Sequence, residues 1–126
     1  MKNYLICLVL VLFTIGVVAG CSGQNVIRTY TESSQVIKVN VGQEFTISLS
    51  SNPTTGYDWE YTSEYQWVQS LGKTYQADNT GLIGSGGTDS FSFKAQSKGA
   101  ATLVFVYKRS WETTTADQKT FTVEVN

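Results

Sequence analysis

The chain has 126 residues, and its 9 basic and 10 acidic residues give a formal net charge of −1. With charges this balanced, the sequence has no basic excess that would attract nucleic acid or an anionic surface. It also has no histidine. Catalysis by Ser-His-Asp or Cys-His groups and histidine-rich metal sites are therefore excluded.

The N-terminus has the pattern of an export signal. Lys2 precedes an apolar run that ends in small residues, as in secretory signal peptides. The run closes with Val18-Ala19-Gly20-Cys21, which resembles a lipobox, the signature of prokaryotic lipoproteins in which the cysteine is lipidated. We expect residues 1–20 to be a removed lipoprotein signal peptide and residues 21–25 a lipidated tether. Residues 26–126 would then form one monomeric domain held at the cell envelope or cell surface.

Two other interpretations of this N-terminus remain open: an uncleaved membrane anchor, or an ordinary signal peptide followed by an incidental cysteine. Signal removal would also take away Cys7 and leave Cys21 as the one mature cysteine, so we expect no disulfide. The remaining residues, about 105, suffice for a single domain stabilised by its own core.

The rest of the chain alternates between apolar and polar residues, which predicts β-strands. The clearest runs are 26–31, 36–41, 45–49, 57–61, 89–96 and 121–125. The turn at Gly42-Gln43 predicts a hairpin between the second and third runs. Residues 67–71 are less clearly patterned, and 73–87 show the weakest pattern. Residues 101–107 are apolar at nearly every position, which predicts a central strand covered on both faces. About seven short strands without helical periodicity predict an all-β, antiparallel β-sandwich.

Two candidate catalytic features fail on inspection. Asp58 and Glu60 form a carboxylate pair that a glycosidase could use, but their spacing places them on the solvated face of an amphipathic strand. The glycine-rich run 81–87 lacks the lysine of a phosphate-binding loop, because Gly87 stands at that position. We predict that the chain is not an enzyme and needs neither a cofactor nor a metal.

Three loops have unusual compositions: Ser51–Tyr57 (S-N-P-T-T-G-Y), the glycine-rich stretch G-L-I-G-S-G-G-T, and K-R-S-W-E. Pro53 fixes its own φ and extends Asn52, while Gly56 tolerates a positive φ, so the first loop is expected to be stiff. In an immunoglobulin-like sandwich the B–C, D–E and F–G connections cluster at one end. By strand count these loops occupy those connections.

Taken together, the three loops make residues 26–126 resemble the chagasin family, tight-binding protein inhibitors of papain-like cysteine peptidases with an immunoglobulin-like fold. That family carries N-P-T-T-G-[YF], G-x-G-G and R-P-W loops in this order. Asn52-Pro53-Thr54-Thr55-Gly56-Tyr57 and Gly84-Ser85-Gly86-Gly87 match the first two. The third matches at Arg109 and Trp111, with Ser110 in place of the proline.

The resemblance implies that these twelve residues bind the peptidase reversibly. The first loop would enter the catalytic cleft, where Thr54, Thr55 and nearby backbone groups could supply hydrogen bonds to the charged site, a thiolate beside an imidazolium. Trp111 would bury its ring against the enzyme, and Arg109 would stack or pair at the rim.

Two rival functions remain: a surface adhesion or glycan-binding domain using exposed aromatics such as Trp111, Tyr65 or Tyr75, and a structural domain of an envelope assembly. Trp111 could also fold back onto the sandwich.

Overall fold

The computed structural model describes residues 26–63 and 66–126. The predicted signal peptide, Cys21, the tether and Tyr65 lie outside these ranges. Eight strands and one short 3-10 helix make up the described fold: β1 (Arg28–Tyr30), β2 (Ile37–Val39), β3 (Glu44–Ser51), the 3-10 helix (Pro53–Thr55), β4 (Tyr57–Thr62), β5 (Val68–Ala77), β6 (Gly87–Ala95), β7 (Gly99–Arg109) and β8 (Asp117–Val125). No helix in these two ranges is long and apolar enough to cross a membrane.

The strands form two four-stranded sheets, with the orders β1-β3-β6-β5 and β2-β8-β7-β4. Apart from the extra N-terminal strand β2, these are the ABED and CFG sheets of the immunoglobulin sandwich. The predicted fold class is therefore confirmed. The pairing is antiparallel except at two edges, where the short strands β1 and β2 run parallel to β3 and β8.

Side chains on the inner faces of both sheets form the core. Phe105 of β7 lies at its centre, and its ring centroid is 5.0 Å from that of Phe91 and 5.6 Å from that of Phe121. Both pairs are edge-to-face, the arrangement that aromatic quadrupoles favour. The fully buried large side chains are Phe45, Phe93, Phe105, Phe121, Ile37, Ile47, Leu49, Leu103 and Val123. The buried residues in the described ranges are apolar except for Ser51 and Asp89, which lie at the end of the sandwich where β3 stops and β6 begins.

The predicted hairpin at Gly42-Gln43 is wrong. The turn itself exists, since Gln43 N–H donates to Asn40 O at 3.0 Å and Gly42 has a φ of 86°. However, β2 pairs with β8 and β3 pairs with β1 and β6, so this turn carries the chain from one sheet to the other. Alternation identifies a strand but does not identify its partner.

Two further strand predictions need correction. Residues 73–77, expected to be poorly structured, continue β5, an edge strand in which Val68 alone is buried. Strand β7 is central, as predicted, but it is not covered on both faces. Its Ala101, Leu103 and Phe105 are buried, whereas Val104 and Val106 on the outer face are only half-buried. Among the residues that the structure describes, no second layer covers that face of the sheet.

Candidate functional site

Three connections meet at one end of the sandwich. We name them loop 1 (52–56, between β3 and β4), loop 2 (78–86, between β5 and β6) and loop 3 (110–116, between β7 and β8). Ser51 at the end of β3 pairs with Gly87 at the start of β6, which brings loop 2 beside loop 1. Tyr57 pairs with Arg109, which brings loop 3 to its other side. The predicted clustering of the B–C, D–E and F–G connections is confirmed.

Loop 1 is a single 3-10 turn with a cap at each end. Asn52 is extended (φ −136°, ψ 87°), and its Oδ1 accepts hydrogen bonds from Thr54 N–H at 3.3 Å and Thr54 Oγ1 at 2.5 Å. Gly56 ends the turn at φ 82°, and its N–H donates to Pro53 O at 3.0 Å. Asn at such a cap and Gly in the left-handed region both suit this geometry. The loop is therefore preformed and bent, as the sequence predicted.

The hydrogen-bond donors of loop 1 are used inside the protein. Thr55 Oγ1 and Thr55 N–H donate to Asn52 O at 2.6 and 3.2 Å, and Asn52 N–H donates to Tyr107 Oη at 2.9 Å. The hydroxyls of Thr54 and Thr55 were expected to supply hydrogen bonds to an enzyme. Their protons instead brace the turn, so the loop presents mainly oxygen acceptors and the apolar surface of the exposed Pro53.

Loop 2 is held against loop 1 at a backbone contact that only glycine permits. Asn52 Nδ2 donates to Gly84 O at 3.1 Å. A Cβ on Gly86 would lie 2.7 Å from Ser51 O, closer than real Cβ contacts. Gly87 is equally confined, since its Cβ would lie 2.2 Å from Gln76 O. Gly86 therefore lets loop 2 approach the end of β3, next to loop 1, and Gly87 lets β6 approach β5.

The tip of loop 2 carries two exposed apolar side chains that sequence reasoning did not assign. Ile83 is fully exposed and Leu82 is 73% exposed. Ser85 Oγ donates to Leu82 O at 3.0 Å, and Gly84 has a φ of 79°, so the tip is an ordered turn. The available signal was an apolar pair enclosed by Gly81 and Gly84 in a stretch without strand alternation.

Arg109 links loop 3 to loop 1. Its Nε donates to Thr55 O at 3.0 Å, and its Nη1 lies 3.2 Å from Glu112 Oε1. The guanidinium carbon also lies 4.4 Å from the ring centroid of Tyr57, within cation–π range. In the free domain Arg109 therefore links loop 3 to loop 1, and the rim contact with an enzyme stays a prediction. Glu112 and Tyr107 are further residues whose roles the sequence did not reveal.

Trp111 lies at the outer edge of this end, with 70% of its surface exposed. It is not folded back onto the sandwich. One edge of its ring packs on Gly56, where an added Cβ would lie 2.6 Å from the indole Cη2. The large exposed remainder of the ring is free to contact another molecule.

The carboxylate pair on β4 belongs to the solvated surface, as predicted. The side chains of Asp58 and Glu60 are 61% and 54% exposed. Asp58 forms an ion pair with Lys73, and Glu60 lies 3.5 Å from Lys108. Within the described ranges, Tyr75 and Trp111 are the only large aromatic side chains counted as exposed. Two exposed aromatics in this part of the chain are fewer than the rim of several aromatics that a glycan-binding surface would use.

Comparison with known proteins agrees with this geometry. A sequence model of the family described as "Chagasin family peptidase inhibitor I42" matches residues 38–125. The chain is 29% identical over 100 residues to chagasin of Trypanosoma cruzi, covering 75% of this chain and 91% of that protein. It is 33% identical over 102 residues to amoebiasin-1 of Entamoeba histolytica, covering 78% and 95%.

The fold also matches the crystal structure of a cysteine protease inhibitor, EhICP2, from Entamoeba histolytica. The TM-score is 0.66 at 19% identity, and the match covers 79% of this chain and 97% of that one. At this identity the match concerns the fold alone. The sandwich and its strand arrangement therefore occur in solved structures.

Proposed function

Because the chain belongs to the chagasin family of peptidase inhibitors, we propose that it inhibits papain-like cysteine peptidases by reversibly occluding the catalytic cleft with loops 1, 2 and 3. The observation that carries this proposal is the connection of the three loops into one surface. Asn52 joins loop 1 to loop 2, and Arg109 and Trp111 join loop 3 to loop 1. A surface that is already ordered loses little entropy on binding.

Loop 1 is the part of this surface suited to enter a cleft. It lies between the other two loops, and Pro53, Thr54 and Thr55 at its apex are exposed. Its 3-10 turn differs from the extended strand that a peptidase cleaves, so it blocks the cleft without serving as a substrate. Its oxygen acceptors suit a site that contains an imidazolium beside a thiolate.

Loops 2 and 3 supply apolar contacts on the two sides of loop 1. Trp111 offers most of an indole ring on one side, and Leu82 and Ile83 offer aliphatic surface on the other. Exposure of such apolar side chains to water is unfavourable, and their burial at an interface lowers the free energy of the complex. The walls of the peptidase cleft are their proposed partners.

Titration of papain with the mature domain tests the function. We expect inhibition that approaches one inhibitor per active site and is reversed on dilution, without a cleaved product. The control is Val41→Ser, which replaces an exposed residue at the opposite end of the domain. This variant should inhibit papain as well as the parent domain does. Absence of inhibition at micromolar concentration of the domain, with papain and a second papain-like enzyme, would contradict the proposal.

We also propose that Cys21 carries a lipid that holds the domain at the membrane. The lipobox resemblance and the place where the chain enters the fold support this proposal. Arg28 of β1 pairs with Phe45 near the start of β3, whereas loop 1 follows the end of β3. The six residue steps from Phe45 to Ser51 span about 20 Å. The anchor would therefore lie at the far end of the sandwich, and the three loops would point away from the membrane.

A further inference from the structure

We propose that Glu112 is a positioning residue for the inhibitory surface: it closes the turn of loop 3 and holds Arg109 against loop 1. The proposal rests on the inhibitory role of the three loops. It assigns to Glu112 the restraint that a proline would otherwise give this turn.

The turn in question comprises Arg109, Ser110, Trp111 and Glu112. Glu112 N–H donates to Arg109 O at 3.1 Å, the hydrogen bond that defines a β-turn. No residue other than glycine has a positive φ in the described ranges. Since a type II turn requires a positive φ at its third position, here Trp111, a type I turn fits and a type II turn does not.

Serine is a poor restraint at the second position of such a turn. Proline is favoured there because its ring fixes φ near the required value, whereas Ser110 leaves that angle free. The side chains at the two ends of the turn compensate. Arg109 Nη1 and Glu112 Oε1 are 3.2 Å apart, and each side chain is 33% exposed. The ion pair thus joins the first and fourth residues of the turn, the same two residues that the backbone hydrogen bond joins.

The same ion pair orients the guanidinium. While Nη1 is held by Glu112, Nε faces Thr55 O and the guanidinium covers the ring of Tyr57. Without Glu112, the long Arg109 side chain has more rotamers available. The turn also loses the ion pair between its first and fourth residues. Trp111 then spends less time against Gly56, and its ring is less well placed for a partner.

A single half-buried ion pair at the surface has a modest effect, so we expect Glu112→Ala to weaken papain binding about two- to fivefold. The decisive comparison is with the double variant that carries both Glu112→Ala and Ser110→Pro. Proline fits this position, because Arg109 before it is already in a strand conformation. If Glu112 acts by restraining the turn, the double variant regains most of the lost affinity. Glu124→Ala, an exposed acid at the far end of β8, is the control for the change in net charge.

A second readout needs no peptidase. The Gly56 α-protons lie beside the Trp111 ring, so their NMR shifts carry a ring-current contribution. We expect these shifts to move toward random-coil values in Glu112→Ala, to recover in the double variant, and to stay unchanged in Glu124→Ala. The melting temperature of the variants should remain close to that of the parent, which separates this effect from loss of fold.

The outcomes are distinguishable. Weaker binding that Ser110→Pro fails to restore, with Gly56 shifts unchanged, would mean that Glu112 contacts the peptidase directly and would overturn the proposal. Unchanged affinity and unchanged shifts in Glu112→Ala would overturn it as well. If the parent domain does not bind papain at all, the proposed function fails, and the Gly56 shifts alone decide whether Glu112 restrains the turn.

Discussion

At the residue scale, glycines lie where the loops of the site touch each other. Gly56 contacts the Trp111 ring and Gly86 contacts Ser51 O, in both cases at distances that a Cβ would violate. In the free protein these glycines let the loops approach each other. Their role is to assemble the surface.

Gly56→Ala tests this role. The new Cβ would occupy a left-handed conformation, which costs about 1 kcal/mol or more, and would displace Trp111. We expect both a lower melting temperature and weaker inhibition. Gly42→Ala is the matched control: Gly42 has a similar φ of 86° with nothing near its Cβ position, at the other end of the domain. It should lower the melting temperature and leave inhibition intact. Equal loss of inhibition in both variants would contradict the assembly role.

Trp111→Ala separates binding from folding at a single side chain. Because the ring is 70% exposed, its removal should leave the melting temperature nearly unchanged. An aromatic anchor at an interface commonly contributes about 2 kcal/mol, which corresponds to roughly thirtyfold in Kd. Inhibition titrations and thermal unfolding of the same preparation measure both effects. Intact inhibition by Trp111→Ala would remove this ring from the binding surface.

At the element scale, the sequence predicted the loops better than the strand pairing. The bend of loop 1 follows from Pro53 and Gly56, whose backbone preferences are local. Strand β2 pairs with β8, which lies more than eighty positions further along the chain. No local pattern in the sequence identifies such a distant partner, and the same holds for the partners of β3. Strand β5 was missed beyond Leu71 because an edge strand exposed on both faces does not alternate, and it contains an irregularity between Ser70 and Gly72.

Loop 2 provides the prediction at this scale. Ile83 is fully exposed at the tip of an ordered turn, and burial of an aliphatic side chain contributes about 1.5–3 kcal/mol. We expect Ile83→Ser to weaken papain binding about tenfold without affecting stability. Val41→Ser, an exposed aliphatic residue at the opposite end, should change neither. Surface plasmon resonance with immobilised papain measures this difference, and equal affinities of the two variants would place the tip outside the interface.

At the scale of the whole molecule, the three loops and the chain entry lie at opposite ends of the sandwich. If Cys21 is lipidated, the tether of about four residues spans at most about 14 Å, and the domain stays close to the membrane with its loops facing outward. Cys21→Ser should move the protein from the membrane fraction to the soluble fraction in a bacterial host that processes lipoproteins. Retention of Cys21→Ser in the membrane fraction would contradict the lipid anchor.

The central claim is that inhibition is reversible occlusion by a preformed surface, without a covalent bond to the enzyme. It is tested most directly by calorimetry with papain whose catalytic cysteine is replaced by alanine. Because the donors of loop 1 are used within the protein, we predict that the inactive enzyme still binds, with a loss of at most about 1.5–3 kcal/mol from contacts to the thiolate. Complete loss of binding to that enzyme would contradict occlusion and indicate a mechanism that requires the catalytic cysteine.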